Sequence, residues 1–89
     1  MMIEIYTAKY CPFCEKAINL LFRKGASFTV VDVTSDSHMR SELKEKTGCS
    51  TIPQVFIDDS FIGGCSDLCS LEEAGQLDGL IAGDEHDEE

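Results

Sequence analysis

The chain has 89 residues, enough for one hydrophobic core and too few for two, and its 43% hydrophobic and 27% charged residues lie near ordinary globular values. The formal net charge is −10, and although five of the last six residues are acidic, residues 1–83 alone still set twelve acidic side chains against seven basic ones. That balance argues against nucleic-acid binding, which needs clustered Lys and Arg, and no apolar run is long enough to cross a bilayer.

Residues 1–6 carry neither the basic region nor the cleavage site of a signal peptide, so a soluble, cytoplasmic protein without a membrane partner is expected. One domain over 1–83 and a solvated, disordered acidic tail over 84–89 complete the expected organisation.

In chain order, Ile3, Ile5, Tyr6 and Thr7 read as a short strand, and Ala8 to Tyr10 as a loop that delivers Cys11-Pro12-Phe13-Cys14. Pro12 suits a first helical turn, where a missing amide hydrogen costs nothing. Cys14, Ala17, Ile18, Leu21 and Phe22 then recur at helical spacing as an expected buried face, which Gly25 ends. Phe28 to Val33 is rich in β-branched residues and reads as a strand buried on both faces. Ser35 to Ser37 offer caps for a second helix running to about Thr47, with Met39 and Leu43 inward and Gly48 as terminator. Val55 to Ile57 is a third strand, Asp58-Asp59 or Asp59-Ser60 a tight turn, and Phe61-Ile62 a fourth strand ended by Gly63-Gly64. A last helical region, capped by Ser66 or Asp67 and broken at Gly75, contains Leu68, Leu71, Leu77, Leu80 and Ile81. The helix-linked strands should be parallel and the turn-linked pair antiparallel, giving an α/β fold with a mixed four-stranded sheet flanked by helices.

Five cysteines raise the question of a staple, but the odd number and the missing signal argue against a secreted disulfide scaffold. A zinc site of Cys11, Cys14, Cys65 and Cys69 is the other structural reading; no metal is expected, because the surrounding glycines and prolines have a better explanation. A Cys-x-x-Cys pair at the start of a helix gains from free amide hydrogens and the helix dipole, which stabilise a thiolate on the first sulfur. Cys11 is therefore read as the nucleophile, helped by the charge of Lys9, and the more shielded Cys14 as the resolving thiol.

Two further motifs stand downstream. Pro53 in Thr51-Ile52-Pro53 opens a strand, either as an ordinary trans proline or as a cis proline that leaves the Ile52 backbone free for an extended substrate. Gly63-Gly64-Cys65-Ser66-Asp67 is either a capped turn or a receptor for an α-amino acid end, with helix-start amides for the carboxylate and Asp67 for the ammonium.

Taken together, the three motifs resemble the glutaredoxin family of the thioredoxin-like superfamily, from Ile3 to about Ile81. The family's active-site motif is usually Cys-Pro-Tyr-Cys; Phe13 keeps the ring and loses the hydroxyl. The resemblance implies the thioredoxin-like (glutaredoxin) fold and a thiol-disulfide oxidoreductase that uses glutathione as reductant. Its partners would be glutathione and disulfide-containing or glutathionylated proteins, and it would act as a monomer. It also implies a cis Pro53, pairing of Ile52 with the cysteine of glutathione, and contacts from Phe13, Cys65, Ser66 and Asp67. Lys9 and Arg40 match positions that hold the glycyl carboxylate. Cys65 is expected to contribute its backbone more than its sulfur, and Cys49 and Cys69 to be small, buried or half-buried thiols. Two other readings are a redoxin reduced by thioredoxin reductase, which the glutathione-site residues oppose, and a glutathione-assisted [2Fe-2S] binding protein, which Pro12 opposes.

Overall fold

Alternation along Ile3–Thr7 (β1) sets the two faces of the sheet: Ile3, Ile5 and Thr7 are buried on one side while Glu4 and Tyr6 are half-buried on the other. The computed structural model describes residues 2–81. The acidic tail at 84–89 and the last residues of the expected domain lie outside them. β1 pairs in parallel with Thr29–Asp32 (β2) and antiparallel with Gln54–Ile57 (β3), which pairs antiparallel with Ser60–Gly63 (β4). The sheet order is β2-β1-β3-β4, the mixed four-stranded sheet expected.

The helices fall on both faces. Pro12–Arg23 (α1) and Cys65–Glu73 (α3) pack with Ile3, Ile5, Val55 and Ile57 into the main core, where Leu21, Leu68 and Leu77 are fully buried. Each such leucine contributes about 1.5–3 kcal/mol through removal of its side chain from water. Across the sheet, Phe56 meets Tyr6 edge-on at 5.5 Å and Phe61 at 5.3 Å, and Lys46 of Ser37–Thr47 (α2) sits 4.9 Å over its ring. The short Leu77–Ile81 helix (α4) follows a break at Gly75, whose φ is +73°. Lys24, at the end of α1, places its Nζ 2.7 Å from Glu72 and 3.0 Å from Asp78, tying α1 to α3 and α4.

Several expectations change in detail. The buried stripe of α1 is Cys14, Ala17, Leu20 and Leu21, with Ile18 at its margin; Phe22 is 76% exposed. At about 100° per residue, Leu20 and Phe22 flank Leu21 on opposite sides, and only the Leu20 side turns toward the stripe that Ala17 occupies. The strand buried on both faces is β3, not β2. β2 has one strand neighbour, and at this edge the helices cover its faces incompletely, leaving Val30 47% exposed.

The β3–β4 turn is Asp58-Asp59, both left-handed with φ of 49° and 68°, as a two-residue hairpin matched to strand twist requires. Asp36 caps α2 by accepting the Met39 N–H at 3.0 Å. Gly64, not Ser66 or Asp67, is the N-cap of α3; Asp67, three residues in, accepts the Gly64 N–H at 2.9 Å.

Candidate active site

Cys11 occupies the N-cap position of α1 with extended backbone, and Pro12 fills the first helical position. The preceding loop is anchored on the β2 side. The Lys9 N–H donates to the Thr34 hydroxyl at 2.7 Å, and the Thr34 hydroxyl and N–H both donate to Asp32, at 2.6 and 2.8 Å. Tyr10 adopts φ of 59° and is 97% exposed.

Cys11 is half-buried, whereas Cys14, one turn into the helix, is 2% exposed. The Cys14 thiol, donating to Cys11 Sγ, is the largest influence holding the Cys11 thiol below its ordinary range; burial opposes it, and the backbone N–H groups of Cys14 and Phe13 reinforce it. The helix-start contribution expected from the sequence is therefore present but secondary to the neighbouring thiol. The charge of Lys9 acts on Asp32. Burial pushes Cys14 up to about 11, against the Ala8 N–H that donates to its Sγ at 3.4 Å. The pair thus consists of a solvent-reaching sulfur that ionises more easily than an ordinary thiol and a shielded one that holds its proton more tightly.

Beyond Cys11 lies a groove of about 500 Å³. One wall is Thr51, Ile52, Pro53 and Gln54, with a cis Ile52-Pro53 bond and the Ile52 carbonyl oxygen 4.0 Å from Cys11 Sγ. The opposite wall is the start of α3, where Gly64, Cys65, Ser66 and Asp67 line the groove with Cys69 and Ser70. Phe13 and Lys16 of α1 border both.

The two glycines at the head of α3 have steric reasons to be there. At Gly63, with φ of 133°, a β-carbon would overlap the Asp67 carboxylate, and at Gly64 one would lie 3.1 Å from the Pro53 carbonyl oxygen. The glycines let the α3 start close onto the proline loop, leaving helix-start amides and the Asp67 carboxylate along the same groove.

Among the residues expected at the site, the structure brings Phe13, Ile52, Pro53, Cys65, Ser66 and Asp67 to this groove, with Cys11 at its edge. Lys9 lines a different groove, on the β2 side of Cys11, and the exposed Arg40 on α2 lines neither. Burial raises Cys65, keeping it a thiol, while Lys16 acts in the opposite sense. Cys69 is half-buried as expected, but Cys49 is exposed, because it sits in the loop after α2 with its backbone turned into hydrogen bonds.

The sequence reading missed Lys16 and Gln54. Lys16 lies on the polar side of α1 just past Cys14. Gln54 is 1% exposed, and its amide nitrogen donates to the carbonyls of Cys49 and Thr51 at 2.8 and 3.1 Å, pinning the proline loop. A polar side chain directly after the strand-opening proline was the available signal. Among the described residues no group of three or more His, Cys, Asp or Glu converges as metal ligands.

Comparison with known proteins places this geometry. The glutaredoxin family model matches residues 3–62. The chain is 42% identical over 80 residues to a glutaredoxin of Pseudomonas aeruginosa, covering 90% of this chain and 95% of that one. The solution structure of glutaredoxin from Brucella melitensis superposes with a TM-score of 0.82 at 43% identity, covering 91% of this chain and 88% of that one. A buckwheat glutaredoxin–glutathione complex shares the fold at a TM-score of 0.86 and 24% identity, covering 90% of this chain and 76% of that one.

Proposed function

This chain belongs to the glutaredoxin family, whose members are thiol oxidoreductases, and on that footing we propose that it reduces glutathione mixed disulfides and protein disulfides at the expense of glutathione. The observation that carries the reading is a single groove that starts beside Cys11 Sγ, runs along Ile52 and ends at the Asp67 carboxylate and the amides of α3. Glutathione offers a thiol, an extended backbone and an α-amino acid end in that order. Its γ-glutamyl ammonium pairs with Asp67, its α-carboxylate takes the α3 amides with Lys16 nearby, and its cysteine backbone lies against Ile52.

The Cys11 thiolate attacks the glutathionyl sulfur of a mixed disulfide. A bond forms between Cys11 and glutathione, the original S–S bond breaks, and the protein leaves as a thiolate that takes a proton from water. A second glutathione thiolate then attacks the glutathionyl sulfur on Cys11, giving oxidised glutathione and restoring the Cys11 thiolate. With a protein disulfide, Cys11 forms a mixed disulfide with one substrate sulfur, and Cys14, its proton passing to the departing substrate sulfur, attacks Cys11; the Cys11–Cys14 disulfide left behind is reduced by two glutathiones, which leave as oxidised glutathione. Burial, the main reason Cys14 holds its proton, persists through this step, but the hydrogen bond to Cys11 and the Cys11 charge, which also hold it, are gone once Cys11 is bonded. Cys14 is thereby released to react when it is needed. A glutathione-buffered compartment such as the cytoplasm suits this chemistry, and the enzyme is proposed to act as a monomer.

The test is turnover of a small glutathione mixed disulfide coupled to NADPH oxidation through glutathione reductase. The reading expects turnover that depends on glutathione. Turnover sustained by thioredoxin reductase in place of glutathione, or none at all, would refute it.

A further inference from the structure

A second groove, also about 500 Å³, opens on the β2 side of Cys11 and, among the described residues, shares no lining residue with the first. Cys11 itself lines it, together with Tyr10, Glu15, Ile18, Val30 and Asp32. Tyr10 and Val30 present exposed apolar surface there, at 97% and 47%, with the half-buried Ile18 on the same groove. Val30 and Asp32 stand two residues apart on β2 and so point to the same side of the sheet. Asp32 is held ionised chiefly by the Thr34 hydroxyl and then by the Thr34 amide; among the described residues, it and Glu15 give this groove two acidic groups against one base, Lys9.

We propose that this second groove receives the polypeptide half of the substrate, an extended segment carrying an apolar and a basic side chain beside the reacting cysteine. The proposal rests on the glutathione reading above. The substituents of a disulfide leave the S–S bond about 90° apart, so the two halves of a mixed disulfide diverge, and with glutathione in the first groove the polypeptide must leave by another path. The β2-side groove is continuous with the attacking sulfur and is apolar at its rim. Its acids, on a chain of net charge −10, select a basic partner and repel an acidic one. No step is added to the chemistry: the departing sulfur stands in line beyond the glutathionyl sulfur, the residues flanking it reach back across Cys11 into this groove, and the polypeptide leaves as the thiolate when Cys11 takes the glutathionyl sulfur.

The experiment uses the full chain and three glutathionylated thiols: 2-mercaptoethanol, a hexapeptide with lysine and valine beside its cysteine, and the same peptide with glutamate for lysine. At low salt the lysine peptide should show a kcat/KM about fivefold above the glutamate peptide, the scale of one exposed charge pair. Asp32→Asn, which keeps an oxygen for Thr34, should shrink that ratio to about twofold or less. Val30→Ser should lower both peptides about threefold, as partial loss of one apolar contact predicts, and leave the mercaptoethanol substrate unchanged. Equal rates on the two peptides, or variants that lower the small substrate as much as the peptides, would overturn the proposal. Failure of the unmodified enzyme on the mercaptoethanol substrate would instead refute the glutathione reading, and this proposal with it.

Discussion

Asp67 carries two roles that a pair of substitutions separates. Its Oδ2 accepts the Gly64 N–H at 2.9 Å, closing the first turn of α3, and in the proposed complex its charge meets the γ-glutamyl ammonium. Asp67→Ala removes both; Asp67→Asn keeps an acceptor for Gly64 and removes the charge. Loss of an N-terminal cap bond costs about 1 kcal/mol, which in a domain of this size lowers Tm by about 4–8 °C. Asp67 is exposed, so its pairing with an ammonium is worth only about 1 kcal/mol, or about fivefold in the KM for glutathione. Thermal unfolding and coupled turnover on both variants give a two-by-two result. Both should raise the glutathione KM by a similar factor with kcat nearly unchanged, and only the alanine variant should melt earlier. If Asp67→Asn leaves KM unchanged, the γ-glutamyl end does not bind there; if both variants melt alike and early, the carboxylate is needed for the fold and the assignment loses its support.

The alkylation rate of Cys11 should rise with pH through an inflection below that of a free thiol and then level off, whereas Cys14 should label slowly until pH approaches about 11. Because the Cys14 thiol is the largest influence lowering Cys11, Cys14→Ala should move the Cys11 inflection upward, while Cys14→Ser, which retains a donor, should move it less; identical profiles would contradict the assigned cause. Gly63→Ala should destabilise the fold by about 1–3 kcal/mol in chemical denaturation, since its left-handed φ and the overlap with Asp67 both resist a side chain, and an unchanged midpoint would count against that geometry.

What the sequence disclosed follows the reach of the forces involved. α1 was legible because its start at Pro12, its end at Gly25 and its 3.6-residue period are local, yet the three- and four-residue spacing admits Phe22 after Ile18 as readily as Leu20 after Ala17, and only the placement of the sheet decides between them. The order of connections gave a parallel pair and an antiparallel pair, but whether Phe28 to Val33 lay at the centre or the edge is a non-local choice that its composition does not record. At the site, Cys11, Cys14, Pro53 and Asp67 stood out because each residue type has a specific task. Lys9 is two residues from Cys11 in sequence, but its loop is tied to Thr34 on the β2 side; Lys16, further along the helix, is the base that lines the α3-side groove.

The most direct measurement compares Cys11→Ser and Cys14→Ser in turnover of a small glutathione mixed disulfide, with intact mass recorded on the same samples. Cys14→Ser should stay active and accumulate one glutathione per chain, released by a reductant, because Cys11 alone performs both exchanges and no second thiol displaces the adduct. Cys11→Ser should be inactive and carry no such adduct at the active site. Activity retained by Cys11→Ser, or lost in a folded Cys14→Ser, would contradict Cys11 as the attacking sulfur on this substrate.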